Sequence, residues 1–239
     1  MRKTSALYDN IRRSSIAYAL ILFLTSLLLY VPSLSNDFVW DAKGIFVVDT
    51  SIQNIANIPG FFIKPSPLPS LQDSPNNPTS VLRYYRPVMK TIHTLEYSIF
   101  GDHSRPYNVT NILLNAVAVV LAFLLINSIT GNGSIAFLAS LLYAVNPARV
   151  EAVSWTYSDS YIFATIFLLI SLHLYRRGNR GIAVGFFAAA LFTHELSLTM
   201  PIIILIHELL IQNKKTIREF AGTVPFFLVM CAFLVIRHS

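Results

Sequence analysis

Seven runs of apolar residues, each bounded by proline, glycine or charge, divide the chain. They are Ser15–Val31, Asn108–Ile126, Ser134–Val145, Tyr157–Tyr175, Gly181–Phe192, Leu196–Ile211 and Phe220–Ile236. A helix crossing a bilayer core needs about 20 mostly apolar residues, with a range of about 17–25. Five runs approach that length. Ser134–Val145 and Gly181–Phe192 are short, and are expected to be lengthened by flanking polar residues or enclosed by neighbours. Basic residues precede the first run as in a signal peptide, but only Pro-Ser-Leu-Ser-Asn follows it, with no clear small-x-small cleavage site, so it is kept as a span.

Between Pro32 and Tyr107 lies the one long hydrophilic region. Its clustered prolines make Lys64–Thr79 a loop. Pro87 then opens a segment in which Val88, Ile92, Leu95 and Ile99 recur at helical spacing, closing at Gly101. The stripe suits a short helix lying on the membrane surface or one buried within the loop; periodicity alone does not separate the two. The expected architecture is all-α and polytopic. Residues 1–239 form a single transmembrane module of about seven helices, with a first outer loop over 32–107 that carries short juxtamembrane helices. No internal repeat is evident.

Composition supports this reading and removes others. Apolar residues make up 54% of the chain and charged residues 13%, whereas soluble domains carry about 25% charged. A soluble enzyme and a disordered regulator are excluded. The single Cys231 excludes an internal disulfide framework and cysteine-pair zinc sites. The net charge of +6 then becomes a topology signal. With the N-terminus inside, the inner segments carry ten basic residues against Asp9, Glu208 and Glu219, while the outer segments carry eight basic and nine acidic. That is the positive-inside pattern, with anionic lipid as counter-charge. The basic residues are scattered over several segments, so no nucleic-acid partner is expected. The expected location is an integral multi-pass membrane protein with a cytoplasmic N-terminus, in the plasma membrane of a prokaryote or the endoplasmic reticulum of a eukaryote.

The candidate chemistry gathers on the outer side. Asp41 follows the first span, Glu151 follows Pro147 at the end of the third, and Glu195 begins the sixth. Acids at such depths are costly and tend to be functional, although each alone also reads as a solvated loop end. Arg83, Arg86, Arg149 and His194 share that face, and guanidinium groups suit phosphate oxygens. For Arg83 and Arg86 the plain alternative is lipid headgroup contact. His93 and His103 have no metal-ligand spacing with a carboxylate and read as surface residues, while His173 and His207-Glu208 read as packing or interface residues near inner span ends. Trp40, Trp155, Tyr30 and Tyr143 suit an aromatic belt. Asn108-Val109-Thr110 is a glycosylation sequon at the membrane edge.

The ordered phrases resemble the C-type integral-membrane glycosyltransferases, in particular the branch of transmembrane and tetratricopeptide-repeat O-mannosyltransferases. Asn36-Asp37-Phe38-Val39-Trp40-Asp41-Ala42 answers the family's G-D/E-F-V-x-D-D, and Tyr85-Arg86-Pro87-Val88 its Y-R-P-L. Asn146-Pro147-Ala148-Arg149-Val150-Glu151-Ala152-Val153-Ser154-Trp155 answers H-P-x-H-x-E-A-V-x-W, and Thr193-His194-Glu195 answers S-K-E. The likeness runs from about Ser33 to Glu208. Departures are Ala42 for a second acid, Asn146 and Arg149 for histidines, His194 for a lysine, and Tyr157-Ser158-Asp159-Ser160 where many relatives carry Gly-Arg.

The resemblance implies a polyprenyl- or dolichyl-phosphate sugar donor, with transfer of mannose or another hexose to a protein or glycan hydroxyl at the outer face and inversion at the anomeric carbon. It implies Asp41 as catalytic base and Arg86, Arg149 and His194 as groups binding the donor phosphate. Glu151 and Glu195 would contact the sugar or orient the cations. No metal and no soluble cofactor is expected, since the sequence shows no compact ligand set. The same fold acting on a lipid or glycan, and a non-catalytic membrane scaffold or subunit, stay open as alternatives. Relatives continue with further spans and repeats, so the chain is expected to be the front part of a longer architecture or a truncated relative; tetratricopeptide repeats are absent from it.

Overall fold

The computed structural model describes residues 2–63, 66–67, 83–213 and 216–238, with side chains from Ser14 onward except at 66–67, 83–84, 217–219 and 238. Helix α1 (Arg2–Tyr30) gives way to a 3-10 turn, Val31–Ser35, where Pro32 removes a backbone donor. The hydrophilic region that follows is built from short pieces: α2 (Asp41–Lys43), a π turn at Gly44–Val48, 3-10 turns at Thr50–Gln53 and Ile55–Asn57, and α3 (Ile58–Phe61). Asp49 and Asn54 cap two of these turns by accepting from Ser51 N–H and Ala56 N–H. Most of the expected loop Lys64–Thr79 lies outside the described residues. Within it β1 (Ser66–Pro67) pairs antiparallel with β2 (Arg83–Tyr84), a two-residue ladder; the other elements among the described residues are helical.

Helix α4 (Pro87–Phe100) has the limits its sequence predicts. Pro87 opens it, and Gly101 closes it at φ 62°, ψ −140°, a conformation open to glycine. A β-carbon there costs about 1–3 kcal/mol, so Gly101→Ala should lower the unfolding midpoint in detergent; an unchanged midpoint would contradict the assigned backbone. Helix α4 packs with its polar face inward. Met89, His93, Thr94 and Glu96 are buried, while Leu95 and Ile99 on the apolar stripe are 46% and 75% exposed. Val88 and Ile92, at the start of the same stripe, are half-buried, so the stripe is covered at its N-terminal end and open at its C-terminal end.

The bundle follows: α5 (Ser104–Thr130), α6 (Gly133–Ala144), a short α7 (Arg149–Ser154), α8 (Asp159–Arg176), α9 (Arg180–Thr193), α10 (Met200–Ile206) and α11 (Val224–His238). The α5–α6 turn is tight because Gly131 takes the left-handed conformation and Asn132 accepts from two backbone N–H groups at the start of α6. Among the described residues, four helical segments are long and apolar enough to cross a membrane: Ser14–Ser35, Ser104–Thr130, Thr156–Arg176 and Phe220–Arg237. Gly133–Ala144 and Arg180–Thr193 are shorter apolar helices. The expected sixth span is a composite, with a 3-10 turn at Glu195–Thr199, then α10, then a π turn at His207–Ile211. Pro201 in the first turn of α10 fits the break.

Small side chains let the helices approach closely, as membrane packing requires. Leu22, Val119, Phe123, Ala136 and Ala144 close the α1–α5–α6 contact. Tyr175, Ala183, Phe187, Met200, Ile204 and Phe226 join α8 through α11. A separate aromatic core of Phe38, Ile45, Phe46, Ile52 and Tyr107 fixes the loop on top of the bundle. Ala42 is fully buried in it. The position at which the related phrase carries its second acid therefore faces an aromatic interior, where a carboxylate would be costly.

Candidate functional site at the loop end of the bundle

The chain direction brings the C-terminal end of α1, the N-terminal ends of α4, α5 and α8, and the C-terminal end of α9 to one end of the bundle. Hydrogen bonds lock them together. Asn108 donates to Asn36 O at 2.7 Å and accepts from Thr156 at 3.0 Å, while Ser33 and Ser154 pair at 2.7 Å. Asn108 is buried and committed to these contacts, so the sequon is closed to an attached glycan in this fold.

Asp41 opens α2 and is exposed. Trp40 before it sits at φ 49°, ψ −124°, an unfavourable backbone for a bulky residue. It is held edge-to-face against Trp155 at 5.8 Å, and Trp155 Nε1 donates to Val39 O at 3.3 Å. Backbone strain kept in place this way tends to mark functional positions. Of the expected aromatic belt, Trp40 is exposed, whereas Tyr30 is buried in the core.

Arg86, His194 and Glu195 come together from segments more than a hundred residues apart in sequence. Arg86 Nε and Nη2 donate to the two Glu195 oxygens at 2.9 and 2.8 Å, a forked ion pair. Arg86 Nη2 also lies 3.1 Å from His194 Nε2, and Tyr161 packs against the imidazole at 4.4 Å. Burial opposes the charge of Glu195, but the Arg86 hydrogen bonds and positive charge outweigh it and hold the carboxyl at about 2. Burial, then the Arg86 charge, hold His194 down at about 4, so the imidazole is neutral near pH 7. Leu196 N–H faces its Nδ1 at 3.2 Å. Donors thus face both ring nitrogens, and a neutral imidazole can accept at only one of them.

Arg149 and Glu151 stand elsewhere on this end. Arg149 lies over the Tyr143 ring at 4.0 Å and donates to the Asn115 carboxamide oxygen. Glu151 is exposed. Among the described residues, no hydrogen bond or ion pair engages the side chain of Asp41 or Glu151, and none joins Arg149 to Arg86 or His194. The expected cation set is therefore divided: Arg86 and His194 in one group, Arg149 in another. The segment Thr156–Tyr161 touches α2, which begins at Asp41, on one side and His194 on the other. The side chain of Arg83 is outside the described residues.

Two features escaped the sequence reading. His93 is buried rather than on the surface, 3.0 Å from Asp159 Oδ2 and 3.2 Å from Oδ1, with Glu96 one turn along α4. Donor atoms of His93, Glu96 and Asp159 lie within 4.8 Å of one another, so a compact potential ligand set is present where none was expected. Burial and then the Asp159 charge push Glu96 above the ordinary carboxylate range. Burial works against protonation of His93, but the Asp159 carboxylate beside it reverses the balance and raises it. The i, i+3 spacing of His93 and Glu96 was a readable signal. Asp159 carried none, because its partners arise only through tertiary packing. The second feature is a buried asparagine stripe on α5 at Asn108, Asn111 and Asn115, whose helical spacing inside an apolar span is legible in retrospect. His103 is exposed as expected, and Glu208 is buried with the Tyr175 hydroxyl donating to it at 2.6 Å.

No protein-family model matches the chain, and no solved structure does. A protein O-mannosyl-transferase of Caenorhabditis elegans is 29% identical over 202 residues, covering 82% of this chain and 28% of that protein. The protein O-mannosyl-transferase TMTC2 of Mus musculus is 31% identical over 91 residues, 38% of this chain and 11% of that protein, and its Homo sapiens counterpart is 24% identical over 152 residues, 59% and 18%. This chain is similar to protein O-mannosyl-transferases. It spans less than a third of the length of these relatives. The similarity falls on the branch that the ordered phrases resemble.

Proposed function

We propose that this chain belongs to a membrane glycosyltransferase that moves a hexose, mannose foremost, from a polyprenyl- or dolichyl-phosphate donor to a hydroxyl acceptor such as protein serine or threonine, at the outer or lumenal face. The single observation that carries the reading is the convergence at one bundle end of an exposed Asp41 and the Arg86–Glu195 fork, in a chain similar to protein O-mannosyl-transferases. Asp41 takes the proton of the acceptor hydroxyl as its oxygen bonds to the anomeric carbon. The bond from that carbon to the phosphate oxygen breaks on the opposite face, so the configuration inverts. Negative charge then grows on the lipid phosphate, and fixed cationic donors stabilise that state above the ground state.

In this scheme Glu195 orients Arg86, and His194 offers a neutral N–H or lone pair rather than a charge. Arg149, packed on Tyr143, approaches the donor from the α7 side with Glu151 beside it. The lipid tail lies between helices. The scheme calls for no soluble cofactor.

The test is transfer of radiolabelled mannose from synthetic polyprenyl-phosphate mannose by the full chain in lipid nanodiscs, offered Ser/Thr peptides and, separately, membrane glycolipids. Mannosylated peptide with the anomer opposite to the donor's supports the reading. Transfer to lipid alone moves the acceptor class, and donor binding without transfer to either overturns the catalytic assignment.

A further inference from the structure

His93, Glu96 and Asp159 form a cluster that the proposed transfer does not use. All three are at least nine-tenths buried. His93 and Glu96 lie one turn apart on α4, and Asp159 is the first residue of α8. Their donor atoms fall within 4.8 Å of one another, with His93 Nε2 at 3.0–3.2 Å from the Asp159 oxygens. Four ligands around zinc at about 2.0–2.1 Å stand about 3.3 Å apart at the corners of a tetrahedron, so an ion enters this set after small side-chain movements. A buried His–Asp ion pair accounts for two members of the cluster. It leaves the third unexplained, because Glu96 Oε2 is buried and among the described residues has no hydrogen-bond partner. The cations next along α4 are engaged elsewhere: Lys90 pairs with Asp49 at 3.1 Å and Arg86 with Glu195 at 2.8 Å.

We propose that His93, Glu96 and Asp159 bind a divalent transition-metal ion of the zinc type, which fastens helix α4 to the start of α8. One imidazole and two carboxylates favour such an ion over magnesium or calcium, which prefer all-oxygen shells. A dication with two carboxylates and a neutral imidazole makes the buried site electrically neutral. The Phe46 ring, edge-on to His93 at 4.9 Å, fixes the imidazole plane. Three protein ligands leave a fourth position for water or a ligand oxygen. Arg86 immediately precedes α4, so the same ion would also steady the forked pair with Glu195.

The test uses the full chain purified in detergent, stripped with chelator and titrated with zinc chloride, reading bound metal by mass spectrometry and the thermal unfolding midpoint. About one zinc per chain and a raised midpoint are expected in the wild type. Glu96→Gln, which preserves shape at the oxygen without a partner, should weaken zinc binding by more than about 100-fold, and Asp159→Asn likewise. His103→Ala removes the exposed His103–Asp102 pair, the competing surface site, and should leave binding unchanged. Cobalt in place of zinc should give visible d–d bands in the wild type and not in Glu96→Gln. Folded wild-type protein that takes up no zinc overturns the proposal. So does uptake that Glu96→Gln and Asp159→Asn leave intact. None of these readouts depends on sugar transfer.

Discussion

Asp41→Asn should reduce sugar transfer by on the order of 10²–10⁴-fold while leaving the protein folded, since that is the usual cost of losing a positioned general base. The substitution keeps size and polarity and removes the oxygen that accepts the proton. The Asp41 side chain is exposed and among the described residues engages no partner, so the unfolding midpoint in detergent should stay within experimental scatter. Donor binding, measured with a non-transferable polyprenyl-phosphate analogue, should change little, placing the loss in kcat rather than KM. Trp40 supplies a control. Under the proposed reading its strained backbone and edge contact with Trp155 set the placement of the adjoining Asp41, so Trp155→Phe, which deletes the Nε1–H to Val39 O, should lower turnover partially without abolishing it. Equal turnover in wild type and Asp41→Asn would dismiss Asp41 as the base.

The bundle was legible because apolar length and punctuation dictate it. Pro32, the Gly131–Asn132 pair and Pro201 each stand where a helix ends, turns or breaks. Helix α4 was legible to the residue at both ends, since Pro87 and Gly101 act locally. Which way it faced was not, because its apolar stripe and its polar stripe are both long enough to pack. Tertiary context decided, placing His93 and Glu96 inward against Asp159. The site was legible in part for the same reason. Arg86, His194 and Glu195 were singled out by residue type and phrase, and packing brings them into one group. Arg149 was singled out equally but is drawn to Tyr143 and Asn115, a choice that depends on where α6 and α7 sit rather than on any local pattern.

Arg86→Lys tests the forked pair most sharply, because charge is kept and geometry is lost. Lysine offers a compact ammonium and cannot engage both Glu195 oxygens while also facing His194. Under the proposed reading, losing that donor at the phosphate should lower kcat/KM by about 10²–10³-fold, and losing one charge-assisted hydrogen bond should cost about 1.5–3 kcal/mol of stability. Glu195→Gln should lower stability by a similar amount near neutral pH, and the pH profile separates the roles. Glu195 is held at about 2, below its ordinary 4.5, so its contribution is full above the ordinary value and fades as pH falls through 2. His194 is held at about 4, below its ordinary 6.5, facing Arg86, Glu195, Arg237 and Tyr161. The unfolded chain therefore takes up a proton first, and stability falls as pH drops from 6.5 towards 4. His194→Gln should remove that first decline in the unfolding midpoint while leaving the later one, below pH 4.5, to Glu195. A wild-type midpoint that is flat from pH 8 down to about 4 would show that His194 is not held neutral by the Arg86 charge.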